Sequence, residues 1–214
     1  MFACEPSAAD PTFRRVFVTD RLGCALPLPQ QTAFLAESGA IDAVILREKD
    51  LDDAAYELLA AEMAAVCARC GIAFVAHAHV EAARRLGCAA VHLPLPLLRA
   101  QGRPDGFAWV GTNVHEADEV AEAEVLGADV LVASPVFAPS CKPASTARGL
   151  PFLRAVLDRA HAPVFALGGI TDENERLIRE AGAAGACRMA DYARRRGVRQ
   201  AAPCKYERSS LRHR

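Results

Sequence analysis

The chain has 214 residues, 52% hydrophobic and 24% charged, and a formal net charge of -1. It can bury a full core, as one large domain or two small ones, and its balanced charge gives no reason to expect a nucleic acid or a polyanionic surface as partner, so any anion site must be local. The N-terminus lacks a basic leader followed by an apolar stretch, and no apolar run approaches the roughly 18 residues of a membrane span, which leads to the expectation of a cytoplasmic protein.

Residues 1–13 read as an N-terminal extension, 14–196 as the folded domain and 197–214 as a basic C-terminal tail. Short β-branched or apolar runs recur along the domain: "RRVFVTD", "DAVILRE", "IAFVAH", "AAVHLP", "FAWVGTNV", "DVLVASPVF", "APVFALGG" and "GACRMA". Between them lie stretches with helical spacing of apolar residues, such as "LDDAAYELLAAEMAAVCARC", "EADEVAEAEVLG" and "TDENERLIREAG", often with an acidic first turn and a closing Gly. Near-continuous apolar strands joined by helical crossovers imply a parallel sheet covered on its faces. Eight such units in this length fit an α/β fold of the (β/α)8 barrel type, a single-domain TIM barrel, better than an open doubly wound sheet. The helix in "PLPLLRAQG" is expected to be weak, and the final helix short or frayed. The eight cysteines are scattered through mostly apolar segments and read as reduced thiols, and the lone Cys67-x-x-Cys70 pair reads as part of a helix packed on the core.

In a barrel of this kind chemistry sits at the C-terminal ends of the strands. The second strand ends in "AVILREKD", where alternation puts Ile45, Arg47 and Lys49 on one face and Leu46 and Glu48 on the other. With Ile45 lining the interior, Arg47 and Lys49 crown the mouth and Glu48 turns outward; the competing reading is a set of solvated ion pairs. Lys142, in the polar loop "PVFAPSCKPASTARGL", brings a further cation. "ALGGITDEN" ends the seventh strand with Gly168 and Gly169 and is expected to open a helix at Thr171 or Asp172 with free backbone N–H groups. After the eighth strand, "CRMAD" places Met189 and small Ala190 where a second run of amides comes close. Together these residues suggest a ligand carrying one or more phosphates.

"VFVTD", "VILREKDL", "AAVHL", "VGTNVHEADEVAEAEVLGADVLVASPVF", "CK" and "PVFALGGITDEN" resemble successive motifs of the thiamine-phosphate synthase and TenI superfamily, over about Val16 to Ala190. The resemblance implies a (β/α)8 barrel that binds thiazole phosphate, with Asn113 among the ligand-binding residues. The synthase branch joins that compound to an aminopyrimidine pyrophosphate with Mg2+; the TenI-type branch includes thiazole tautomerases. The synthase's Gln-x-Arg-x-Lys falls on Ile45, Arg47 and Lys49, so the cations are kept and the Gln is not. Its Asn-Asp after strand three falls on His77 and Ala78, and its second metal-binding Asp on Leu97, so both expected Mg2+ carboxylates are absent. "VHLPLPLL" and "SCKPASTARGL" resemble the tautomerase branch, yet that branch's acid-base His falls on Pro135.

Proton transfer needs a group titrating near neutrality, and the candidates at the mouth are His77 and Cys141, the latter with Lys142 beside it to lower its pKa. Arg148 is a further cation that could assist pyrophosphate departure. "HAH" also gives His77 and His79 the same-face spacing of a metal pair, with His92 on the next strand, as a zinc hydrolase would use. His92 and His115 match positions where the superfamily shows structural histidines. The functional expectations are therefore a thiazole-phosphate enzyme of thiamin biosynthesis, a phosphate-binding or regulatory barrel without catalysis, or a metal hydrolase. A homo-oligomer is compatible with each.

Overall fold

The computed structural model describes residues 13–138 and 147–196; residues 1–12 of the proposed extension, the proposed tail, and Cys141 and Lys142 lie outside them, while Phe13, placed at the end of that extension, is buried in the core under the helices. Eight parallel strands close into a barrel in sequence order: β1 (Arg14–Val18), β2 (Ala43–Leu46), β3 (Ala73–His77), β4 (Ala90–Leu93), β5 (Trp109–Val114), β6 (Val130–Ala133), β7 (Val164–Leu167) and β8 (Gly185–Arg188). The crossovers carry α1 (Leu28–Glu37), α2 (Asp53–Cys70), α3 (Val80–Arg85), α4 (Leu95–Gln101), α5 (Glu119–Val125), α6 (Gly149–Leu157) and α7 (Glu175–Glu180), and α8 (Ala190–Arg194) follows the last strand. The expected barrel is present, and its final helix is indeed short, at five residues.

Each strand feeds two cores because its side chains alternate. Val16, Val18, Ala43, Ile45, Val75, Ala90, Val132, Phe165 and Cys187 meet inside the barrel. The opposite faces pack under the helices in two further clusters, one centred on Leu93, Leu131 and Leu153, the other on Phe17, Leu46 and Met63. The longest helix, α2, begins where Asp52 accepts a hydrogen bond from the Ala55 N–H and ends at Gly71 in the left-handed region (φ 68°). Cys67 of the C-x-x-C pair is buried in the second cluster, where burial pushes its thiol up to about 12. "PLPLLRAQG" forms a seven-residue helix that starts after Pro94 and stops at Gly102. Among the described residues no helix is long and apolar enough to cross a membrane.

Candidate functional site

Strand register assembles one side of the mouth. Leu46 pairs with Ala76, so the next residues, Arg47 and His77, fall level; His77 in turn pairs with His92, and His92 with Gly111. The two imidazoles stack with ring centroids 5.4 Å apart. Gly111 makes this possible, since a Cβ there would lie 3.1 Å from His92 Cδ2. Burial first, and then the neighbouring charge of Arg47, hold His92 at about 4. His77 is held at about 3, by burial first, then by His92, Arg47 and Lys49. Both rings are therefore neutral near pH 7, and both lie within the field of the strand-two cations. Lys49 is exposed, Arg47 half-buried, and Asn113 sits on the inward face one pleat beyond Gly111, paired with the interior residue Val132.

Arg47 is aimed by its neighbours. Its N–H donates to Thr19 Oγ1 at 2.9 Å, and Thr19 Oγ1–H donates to Glu48 Oε1 at 2.5 Å. Glu48 also accepts from the Arg21 backbone N–H and guanidinium. Glu48 thus does turn away from the barrel axis, as alternation requires, but it is not a solvated charge: it is 5% exposed and anchors the β1 loop to the end of β2. Solvated pairing of the competing kind is found one step further on, between Arg21 and exposed Asp50. Glu48→Ala should lower the unfolding free energy by about 2 kcal/mol, because Thr19 and Arg21 lose a buried charged acceptor. Urea denaturation checks this; a loss of only about 0.5 kcal/mol, as for an exposed surface change, would contradict it.

The "HAH" spacing does not produce a metal pair. Ala78 adopts φ 65°, which ends β3 and turns His79 away from the face of His77. His79 instead stacks on Tyr56, centroids 3.8 Å apart, and its Nδ1 lies 2.7 Å from Asp53 Oδ1. Tyr56 O–H donates to the Leu46 carbonyl and accepts the His77 N–H, tying the ends of β2 and β3 together from behind. Sequence inspection treats Tyr56 as one apolar position of a helix and misses this role, since nothing local marks its hydroxyl as buried. His115 is occupied structurally, its Nδ1 2.7 Å from the Ser134 carbonyl. Arg148, considered above as an assisting cation, is engaged with Glu116 and the His115 carbonyl and lies over the Phe152 ring, 4.6 Å from its centroid.

Across the barrel, the strand-seven turn is pressed against the chain leaving β6. Val136 N–H donates to Leu167 O and Phe137 N–H to Gly168 O. A Cβ on Gly168 would lie 2.9 Å from Pro135 Cα, and one on Gly169 only 2.5 Å from the Ala138 carbonyl oxygen. Both glycines have positive φ, 112° and 57°. The expected helix start is displaced: α7 begins at Glu175, because Asn174 closes a turn first, accepting the Thr171 N–H and donating to the Gly169 carbonyl. The Thr171 amide is thus already used, and the Asn three residues after Thr171 in "TDEN" is the signal that the sequence reading passed over. Met189 packs on the interior cluster and Ala190 starts α8.

The residues present do not fit a protein-held Mg2+. The two positions that the resemblance assigns to metal carboxylates carry Ala78, in its left-handed turn, and Leu97, packed on the apolar core of α4. The carboxylates that line one pocket with Ala78 and Leu97 are otherwise engaged, Asp53 with His79 and Glu81 with Arg84, and Glu48 and Asp50 are committed to Arg21. Among the described residues no group of three or more His, Cys, Asp or Glu is arranged to hold a metal ion.

Fold and mouth define a (β/α)8 barrel with cations and imidazoles gathered over β2 to β4 and a close-packed glycine turn after β7. The chain belongs to the thiamine monophosphate synthase and TenI family, whose profile matches residues 15–191. It is 31% identical over 176 residues to a thiamine-phosphate synthase of Shouchella clausii, covering 78% of this chain and 81% of that one. Over 157 residues it is 31% identical to a thiamine-phosphate synthase of Syntrophomonas wolfei, covering 71% and 74%. A thiamine phosphate pyrophosphorylase structure from Pyrococcus furiosus superposes with a TM-score of 0.71 at 23% identity, over 84% of this chain and 86% of that one.

Proposed function

We propose that this protein of thiamin biosynthesis binds thiazole phosphate at the barrel mouth and acts on it by TenI-type proton transfer rather than by metal-assisted displacement of pyrophosphate. The phosphate lies between the Gly168-Gly169 turn and Met189-Ala190, with Lys142 as its cation and Asn113 facing the ring, while Arg47 and Lys49 supply positive field from the opposite side. The observation that carries this reading is the apolar pair Ala78 and Leu97 where a synthase would need carboxylates. Magnesium requires one or two carboxylates in addition to substrate phosphates. Exchanging a divalent ion for a single ammonium forfeits about 4 kcal/mol for a charge pair at roughly 4 Å and an effective dielectric near 20. That is on the order of a thousandfold in rate where the stabilisation is specific to the transition state.

His77 and Cys141 are the groups offered for the proton. His77, neutral near pH 7, would accept the proton, and Lys142 would favour the Cys141 thiolate as its partner. A second reading, binding without turnover, is favoured by His77 being held at about 3 in the free protein. Incubating the purified protein with thiazole phosphate, with and without aminopyrimidine pyrophosphate and Mg2+, distinguishes these. Tautomer exchange without metal supports the proposal, tight binding without exchange supports the second reading, and rapid Mg2+-dependent thiamine phosphate formation overturns both. Lys142→Ala should weaken thiazole phosphate binding at least tenfold, about 1.4 kcal/mol, and leave the dephosphorylated alcohol unaffected. Equal losses for both ligands would remove Lys142 from the phosphate site.

A further inference from the structure

Behind the glycine turn the outer face of the sheet carries charge where an apolar layer would be expected. Arg188 of β8 has a side chain only 1% exposed. Its register partner is Phe17, and the outward residue two places earlier on β1, Arg15, pairs with Ala186. Glu175 at the start of α7 reaches both cations, meeting the Arg188 guanidinium and accepting from Arg15 Nε at 3.0 Å. Arg188 Nη1 donates to Asp172 Oδ1 at 2.6 Å and to Asp191 Oδ2 at 3.2 Å, and Arg195 bonds the same two carboxylates at 2.9 and 3.0 Å. The network therefore spans the loop after Gly168-Gly169, the first turn of α7, the end of β8 and all of α8.

A buried ionic network of this size is no more stabilising than well-packed aliphatic side chains, because desolvation offsets the attraction between charges. A Leu or Met at position 188 would cover Phe17 and Tyr192 equally well. What it would not do is hold Asp172, whose side chain is 72% exposed and which stands three residues after Gly169. Nor would it hold Asp191, one residue after Ala190. We propose that Arg188 is a positioning residue for the phosphate site: from the side away from the ligand it fastens the two backbone segments of the phosphate cradle to each other, and adds to the more exposed Arg195 bridge between Asp172 and Asp191 a buried tie to Glu175 that Arg195 does not make. The inference rests on the phosphate-site reading above, and it assigns to Arg188 no contact with the ligand.

The test compares wild type with Arg188→Met, Arg188→Lys and Asp172→Asn by calorimetric titration with thiazole phosphate and with its dephosphorylated alcohol, and by hydrogen exchange without ligand. In Arg188→Met the other network members keep partners, Glu175 with Arg15 and Asp172 with Arg195, so the variant should fold. The expected results are about a tenfold loss of thiazole phosphate affinity with alcohol affinity unchanged, partial recovery in Arg188→Lys, and a smaller loss in Asp172→Asn. Exchange at residues 168–172 and 189–191 should quicken selectively. An unchanged ratio of phosphate to alcohol affinity, or unchanged exchange in both segments, overturns the inference. Should wild type show no preference for the phosphorylated compound, the phosphate-site reading fails, while the exchange result still decides whether Arg188 couples the two segments.

Discussion

Lowering the pH from 7 to 5 should cost the protein about 3–4 kcal/mol of unfolding free energy, contributed about equally by His77 and His92. Both rings are buried neutral, held at about 3 and about 4 against an ordinary value near 6.5. A histidine depressed by folding contributes its stability above the unfolded pKa, because the unfolded chain takes up a proton that the native chain refuses. That contribution drains away as pH falls from about 6.5 toward the native values. The window is diagnostic. The carboxylates that folding pulls down, such as Glu175 beside Arg15 and Arg188, begin to matter only below their ordinary range, near 4.5. Urea unfolding at pH 7, 6 and 5 measures the slope, and His92→Leu, which removes one of the two sites, should roughly halve it. A flat profile, or a slope undiminished by the loss of His92, would mean that the rings are not held neutral.

The barrel was readable in the sequence because its strands are short, nearly continuous apolar runs and its crossovers show helical periodicity; each signal is local. The aim of Arg47 followed from simple alternation along "AVILREKD". What alternation could not supply is the environment of the opposite face. Glu48 looks like a surface charge until Thr19 and Arg21, nearly thirty residues earlier, are brought against it. "HAH" failed for a related reason, since a two-residue spacing implies one face only while the strand continues, and Ala78 ends it with a positive φ. Tyr56 and Arg188 were invisible because their importance lies in contacts across crossovers. A buried Arg at the end of an apolar strand, followed by Asp191 and preceded by Asp172 and Glu175, could have been flagged as a charge needing partners. The helix start was misplaced because Asn174 offers the backbone a side-chain partner that competes with the first helical turn.

Gly169→Ala should be the most damaging single-atom-scale change at the mouth, lowering stability by about 3 kcal/mol and thiazole phosphate affinity by at least tenfold. Two costs combine. At φ 57° any Cβ is strained, a penalty of about 1 kcal/mol that position 39, with φ 69° and open space around it, would pay alone. At position 169 the new methyl also meets Ala138 O at 2.5 Å and Phe137 Cβ at 2.9 Å, and the nearer of these is backbone that cannot swing aside. The turn must therefore move away from the chain leaving β6, and the hydrogen bonds from Val136 to Leu167 and from Phe137 to Gly168 must lengthen or break. Ala138 stands only three residues before Cys141 and four before Lys142 in the sequence, so the same displacement moves the turn away from the chain that leads to them. Gly39→Ala supplies the control, since it carries the strain without the collision. Thermal or urea unfolding of the two variants should differ by about 2 kcal/mol. Equal losses would show that the turn is free to shift, and a Gly169→Ala protein that still binds thiazole phosphate like wild type would mean that the phosphate does not rest on this turn.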